Sequence, residues 1–471
     1  MNTIFSTESA DRRGSRLPHW VALAVVAAAA QLVGCAAPRP PAAVAAPPMA
    51  KPAPAVAPAP VVMSAAAPVA PAAPPAVAPA TPPAASVSPP PAAAPPPPPP
   101  VMPFNEAVLF AANNLFRGAK LDAATTARSG ATKLPLVIDP LVDGVSGYQS
   151  VATESMEAKI TELVKSTYPN FDIQPFTTAS LARAPLLFIG TFTAVNADGS
   201  NKPGRDWHRV CLALVDLRSG TIISKGFARA AMEGVDLTPT AFFLDSPAWA
   251  PDPSVQGYVR TCQGTKAGDP INPAYWDRIM AAAMINDAIL AYNKGYAEEA
   301  LDLYKGVLRQ PGGDQLRVYN GIYLAASKLG RKDEAAVAFN KIIDFGLAQN
   351  QLGVKFLFRP GSTLFVPEPQ ISGAYHAWLA QIGQRASQRT ACLDITGHTS
   401  KTGPEPLNER LSLIRAQYIK QRLDAAAPVL AKRTAAEGKG SSENISGLGT
   451  DDARDALDRR VVFKVKDCPT S

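Results

Sequence analysis

The chain has 471 residues, 47 of them proline and 32 glycine, with 46 basic and 39 acidic residues for a net charge of +7. Twenty-six of the prolines lie between Ala36 and Pro103, so an ordinary globular composition carries one abnormal segment. No glycine recurs at every third position, which excludes a collagen-like chain, and no basic stripe interleaved with aromatics is present, which argues against a nucleic-acid partner.

The chain opens with polar residues and Arg12, Arg13 and Arg16, followed by an apolar run from Val21 to Ala30. That is the order of a secretory signal peptide, and the run is too short to span a bilayer of about 30 Å comfortably. Its end, Leu32-Val33-Gly34-Cys35, resembles a bacterial lipobox. The resemblance implies a lipoprotein signal peptide over 1–34 and a mature N-terminus at Cys35 acylated by palmitate-type chains. Ala36 stands where an aspartate would favour inner-membrane retention. The expected location is therefore the outer membrane of a Gram-negative cell, lipid-anchored and facing the periplasm.

Removing Cys35 leaves Cys211, Cys262, Cys392 and Cys468, an even number suited to an oxidising compartment. Of the three pairings, Cys211 with Cys262 and Cys392 with Cys468 are favoured because each stays within one expected domain; four reduced thiols are the alternative. With no CxxC, no His/Cys cluster and only four histidines, neither a metal nor a cofactor is expected.

Residues 35–103 form the lipidated cysteine and a disordered linker of Ala, Pro and Val, with six consecutive prolines at 95–100. Its prolines forbid a helix or a central strand. As polyproline II at about 3.1 Å per residue, the segment from 36 to 103 reaches roughly 200 Å when fully extended. It reads as a spacer from membrane to cell wall.

Residues 104–270 read as an α/β module. Phe104, Ala107, Val108, Phe110, Ala111, Leu115 and Phe116 have helical spacing, and Leu136-Val137-Ile138 is a buried-strand run ending in Asp139-Pro140. Val151 to Lys165 predicts a helix with Met156, Ile160, Leu163 and Val164 on one side. Strands are expected at Phe171–Ile173, Leu186–Thr193, Arg209–Leu217 and Thr221–Ser224, the last two joined by a turn at Arg218-Ser219-Gly220. This alternation predicts a mixed sheet with helices packed on it. Asp139, Asp143 and Asp216 read as turn and strand-end residues, and His208 beside Trp207 as a surface pair. Lys202, Arg205 and Arg209 suggest a basic loop.

The strings Leu136–Asp143, Leu187-Phe188-Ile189-Gly190-Thr191 and Val215–Thr221 resemble a periplasmic lipoprotein family. It includes the outer-membrane activators of penicillin-binding proteins, the flagellar protein FlgO and the core of the curli secretion channel. The resemblance implies a binding or assembly part without catalysis.

Over residues 271–350, Gly295, Glu299, Ala300 and Tyr304 recur at an offset of 35 as Gly330, Glu334, Ala335 and Phe339. Pro311-Gly312-Gly313 supplies a helix stop between the copies. The pattern resembles tetratricopeptide (TPR) hairpins. Two copies fall short of a free-standing solenoid, so they are expected to pack on a neighbouring domain.

Over residues 351–471, Val354, Phe356 and Phe358 alternate with Lys355 and Leu357 as a strand. A helix starts at Pro367 or Pro369 and runs through Trp378 and Ile382; the strand Cys392–Thr396 leads into Gly397-His398-Thr399-Ser400. A helix from about Glu405 then carries an apolar stripe of Leu407, Leu411, Ile414 and Tyr418 beside a polar row of Asn408, Ser412 and Arg415. A strand from Arg460 to Lys466 completes a βαβαβ-type α/β sandwich.

Gly397–Ser400, Asn408–Ala416 and Arg459-Arg460-Val461 closely resemble the OmpA-like peptidoglycan-binding domain, whose motifs read GHTD, N-x-x-L-S-x-x-R-A and R-R-V. The resemblance implies a non-catalytic site of Gly397, His398, Thr399, Ser400, Asn408 and Arg415, with the stem-peptide residue diaminopimelate as ligand. In the family an aspartate holds its ammonium and an arginine its carboxylate, a sensible division for a zwitterion. Arg415 supplies the arginine; Ser400 replaces the aspartate and is expected to weaken binding. Glu405 and Glu409 are the nearby alternative acids, although neither has the family's geometry.

The expected architecture is thus multidomain: a tether, an α/β module, short all-α hairpins and an OmpA-like domain. No nucleophile, base or metal constellation reads as enzymatic. Two functions follow: an outer-membrane lipoprotein tethering the envelope to peptidoglycan, or a regulatory or assembly lipoprotein whose module binds a cell-wall synthase or a secretion or flagellar component.

Overall fold

The computed structural model describes residues 100–121, 133–183, 186–200, 205–359, 361–389, 392–445, 447–450 and 455–468. The expected signal peptide, Cys35, the expected linker up to residue 99 and Lys202 lie outside the described residues.

The first half is a seven-stranded mixed sheet. Its elements in chain order are β1 (Val101–Met102), α1 (Phe104–Gly118), β2 (Leu134–Ile138), β3 (Val142–Asp143), α2 (Val151–Thr167), β4 (Phe171–Gln174), α3 (Thr178–Arg183), β5 (Leu186–Val195), β6 (Trp207–Asp216) and β7 (Thr221–Ala230). The strand order is β1-β7-β6-β5-β2-β4, with β3 also on β5. β5, β6 and β7 pair antiparallel, whereas β2 runs parallel to both β4 and β5.

All ten residues of β5 are buried, because both faces of the sheet are covered. Leu136, Ile138, Phe188, Leu212 and Leu214 pack on one face against Val108, Leu115, Met156 and Ile160 of α1 and α2. Val137, Leu187, Ile189, Ala213 and Val215 meet Tyr258, Tyr275 and Ile279 on the other. α2 starts where Ser150 and Thr153 form a reciprocal capping box. Asp143 accepts from the Val145 and Ser146 amides, and Asp216 from the Arg218 amide, so both are turn residues.

The chain continues through α4 (Ala241–Asp245), β8 (Ala248–Trp249), α5 (Pro253–Gln263) and α6 (Pro273–Trp276). Asp252 caps α5 by accepting from the Ser254 and Val255 amides. Four helices follow: α7 (Ile279–Asn293), α8 (Ala297–Leu308), α9 (Leu316–Lys328) and α10 (Lys332–Ala348). Gly295 and Gly330 adopt φ of +86° and +70° at the α7–α8 and α9–α10 turns, which explains their recurrence. Ala300, Tyr304, Ala335 and Phe339 are all buried. The helices pack on neighbouring structure at both ends. Ile279 and Ala283 join the core beneath the first sheet, and Phe339, Ile342 and Leu347 join the core of the C-terminal part, where Phe339 stacks on Trp378 at 5.0 Å.

The C-terminal part comprises β9 (Gln351–Val354), α11 (Pro369–Ser372), α12 (Tyr375–Ser387), β10 (Cys392–Gly397), α13 (Glu405–Ala426), β11 (Thr434–Gly438) and β12 (Val461–Lys466). Its sheet has the order β11-β10-β12-β9-β8. The outer strand β8 comes from well upstream: Ala248 and Trp249 pair antiparallel with Val354 and Gly353. The structure joins Cys211 to Cys262 and Cys392 to Cys468.

Two expectations are corrected here. The strand expected through Phe358 ends at Val354, and Lys355 is turned inward, where its ammonium donates to the carbonyls of Phe243 and Leu244 at 3.1 and 2.9 Å. Burial pushes its pKa down to about 7. His208 is fully buried rather than a surface residue: it stacks on Phe192 at 4.4 Å, and burial pushes its pKa down to about 4. An imidazole has enough apolar face to serve as a core side chain there.

Candidate functional site

The C-terminal site is organised by the close docking of α13 on β10 and β11. Gly397 and Gly438 are register partners on those strands. A methyl group on Gly397 would lie 2.1 Å from the Ser412 carbonyl oxygen, and one on Gly438 2.4 Å from the Leu413 amide nitrogen. Only small residues allow that approach, and Ser412 and Ala416 supply the helix side.

This packing makes the polar row, rather than the whole apolar stripe, the buried side of the helix, with Leu411 and Tyr418 half-buried. Asn408, Ser412 and Arg415 are buried, whereas Leu407 is 64% and Ile414 38% exposed. The polar row faces inward because each member has partners there. Asn408 donates to the Thr402 carbonyl at 3.2 Å; Ser412 Oγ donates to the Glu409 carbonyl and accepts from the Gly440 amide at 2.9 Å. Buried polar groups with such partners escape the desolvation penalty that would otherwise expel them.

The Gly397–Ser400 turn is held by backbone pairing on both sides. The His398 amide donates to the Arg460 carbonyl, the Thr399 amide to the Gly440 carbonyl, and the Lys439 amide to the Gly397 carbonyl. His398, Thr399 and Ser400 are all at least 95% buried. Burial first, then the positive charges of Arg460, Lys464 and Lys439, push the His398 pKa down to about 2. Its imidazole is therefore neutral at any ordinary pH and offers a ligand no cation.

Arg415 is 7% exposed. Its guanidinium donates from Nε to the Ser362 carbonyl at 3.3 Å and from Nη2 to the Arg359 carbonyl at 3.4 Å, and it lies over the Phe358 ring at 4.8 Å. The structure thus brings the Gly397–Ser400 turn, Asn408 and Arg415 to one end of the sheet. Of the two candidate substitute acids, only Glu405 is engaged by neighbouring groups. Glu405 accepts from the Ser441 amide at 2.8 Å and from the Ser441 hydroxyl, and Glu409 is exposed.

Two site-shaping acids escaped the sequence reading. Asp455 accepts from the Leu448 and Gly449 amides, and Asp458 from the Ile445 and Gly447 amides at 2.6 Å each; both are fully buried. They hold the backbone at residues 445 and 447–449, ahead of β12. Burial holds the Asp458 carboxyl above its ordinary range despite Arg460 3.8 Å away, and the same burial lowers the Arg460 pKa to about 10. The available signal was the pair of aspartates three apart immediately before Arg459-Arg460.

In the first half, Asp139 is also buried, at the carboxyl end of β2. The Tyr275 hydroxyl donates to it at 2.5 Å, and desolvation pushes its pKa up to about 7. Among the described residues no cluster of His, Cys, Asp and Glu could hold a metal ion, and no helix is long and apolar enough to cross a membrane.

No protein-family model matches the chain. It is 37% identical over 92 residues to Outer membrane protein Omp38 of two Acinetobacter baumannii strains, covering 19% of this chain and 26% of the relative. The chain thus spans about a quarter of the length of the curated relatives it matches. Among solved structures it is similar to the peptidoglycan-associated lipoprotein of Burkholderia pseudomallei, at 24% identity and a TM-score of 0.21, covering 26% of this chain and 93% of that one. It is also similar to the cell wall anchor of the T6SS of Pseudomonas aeruginosa, at 22% identity and a TM-score of 0.22, covering 28% and 97%.

Proposed function

We propose that this chain is a non-catalytic envelope protein that attaches to peptidoglycan through residues 351–471. The observation that carries this reading is the convergence of the Gly397–Ser400 turn, Asn408 and the guanidinium of Arg415 at one end of a sheet, where a stem-peptide carboxylate would meet Arg415. A bidentate guanidinium–carboxylate pair is both stronger and more directional than a neutral hydrogen bond. Similarity over 92 residues to an outer membrane protein supports an envelope setting. In this reading Cys35 carries the lipid at the outer membrane, and residues 36–103 are the spacer that lets the folded part reach the wall. Ser400 lacks the charge to hold the diaminopimelate ammonium, so recognition rests mainly on the carboxylate.

The test is cosedimentation of the full chain with purified sacculi. Binding is expected, with loss in Arg415→Ala; no binding, or equal binding by that variant, defeats the reading.

A second reading, regulation through the α/β module, draws on the exposed Val101 and Phe227 at the β1–β7 margin of the first sheet, 48% and 44% accessible. An envelope protein partner would dock there and the C-terminal part would only position it. Crosslinking in cells tests this reading, which predicts loss of every partner when residues 104–265 are deleted.

A further inference from the structure

The cation of the proposed wall site is covered by the chain's own backbone. Between Leu357 and Val366 the chain turns back on itself: the Arg359 amide donates to the Leu364 carbonyl at 2.8 Å, the Val366 amide to the Leu357 carbonyl at 3.1 Å, and Phe358 bridges to Phe365. The Phe358 and Phe365 rings lie 5.1 Å apart, and Phe365 meets Tyr418 of α13 at 5.4 Å, which seats the turn on the helix that bears Arg415. The carbonyls of Arg359 and Ser362 then point at the guanidinium, and the Phe358 ring covers its face.

We propose that this turn is a strap over Arg415, which must lift before a ligand carboxylate can pair with the guanidinium and which stays lifted in the complex. The inference rests on the reading that Arg415 is the ligand's cation. The strap is a weak competitor. Its two carbonyl contacts, at 3.3 and 3.4 Å, lie beyond the usual range for an N–H···O bond. A carboxylate would replace them with shorter, charge-assisted bonds. The device therefore tunes affinity without blocking the site. It also favours an anion, because a neutral carbonyl ligand replaces the strap's contacts with bonds of the same kind, whereas a carboxylate adds charge.

The experiment titrates the full chain with diaminopimelate by calorimetry, comparing the natural protein with Phe358→Ala and Arg415→Ala. Removing the ring frees the guanidinium face, so Phe358→Ala is expected to bind about two- to fivefold more tightly, and Arg415→Ala not at all. Binding that first becomes measurable in Phe358→Ala supports the strap equally. Binding that needs Arg415 but is unchanged or weaker in Phe358→Ala overturns the strap and leaves the wall-site reading standing. Absence of binding in both the natural protein and Phe358→Ala overturns both. Because Phe358→Ala also removes packing on Phe365, amide exchange in the natural protein gives a second readout. Saturating diaminopimelate should speed exchange of the Arg359 and Val366 amides at least threefold; unchanged or slower exchange refutes the strap.

Discussion

Replacing Asp139 with asparagine should stabilise the protein at alkaline pH and do progressively less as the pH falls. Asp139 is 7% exposed, with its carboxyl pushed from 3.8 up to about 7, first by desolvation and against the lowering effects of the Tyr275 hydroxyl and the Arg317 charge. The folded state therefore keeps a proton that the unfolded chain releases. That contribution is fully present below pH 3.8 and is lost as pH rises to about 7, after which it is constant. Asparagine keeps an oxygen for Tyr275 and has no proton to lose. Between pH 5 and pH 8 the advantage of Asp139→Asn over the natural protein should widen by roughly 2–3 kcal/mol. Glu157, whose carboxyl is also pushed up to about 7 by burial and then by Asp139, titrates with it and spreads the change over a broader range. Urea unfolding of both proteins at pH 5, 6.5 and 8 measures this through the shift in midpoint. A constant offset across that range, or one that narrows as pH rises, would refute the argument that Asp139 is held protonated by burial.

Gly397→Ala should prevent the docking of α13, since the added carbon meets the Ser412 carbonyl oxygen at 2.1 Å; a loss of roughly 1–3 kcal/mol or more in urea unfolding is expected, and an unchanged midpoint would show that the helix can retreat freely. Ser400→Asp should tighten sacculus binding roughly tenfold or more by adding a charged acceptor, while lowering the melting temperature because position 400 is only 5% exposed. Weaker binding would place the ligand's ammonium elsewhere. Replacing Cys392 and Cys468 with serine opens a crosslink spanning 76 positions, for which loop closure gives a ceiling of about 4.5 kcal/mol. The loss should match that of reducing the intact protein with the other disulfide preserved.

The sequence announced those elements whose pattern was local. The strand expected at Leu186–Thr193, which runs on to Val195, was legible because its run of apolar residues matches a strand covered on both faces, and Met156, Ile160 and Val164 marked the inner side of α2 by their spacing. On α13 periodicity marked Leu407, Leu411, Ile414 and Tyr418 as an apolar stripe, yet Leu407 and Ile414 are exposed. There the deciding factor was the close approach allowed by Gly397 and Gly438, one on each of two other strands, and no pattern within the helix reports it. The site motif was visible as residues, but the cover over Arg415 was not, because Arg359 and Ser362 act through their backbone carbonyls and any residue supplies those. The inward Lys355 was hidden for a related reason: its partners are the carbonyls of Phe243 and Leu244, more than a hundred positions upstream.

The upstream strand β8 carries a mechanical meaning. Ala248 and Trp249 complete the outer edge of the C-terminal sheet, and the Arg205 guanidinium donates to the carbonyls of Asn444 and Ile445 from the other direction. A load applied at the proposed wall site would not be taken up by a swivelling linker. It would pass through a ladder of backbone bonds, and through helices whose residues join the core under the first sheet at one end and the C-terminal core at the other, so the two halves would turn as one lever. The direction in which the first half faces would then be set by the direction in which the last hundred residues are held.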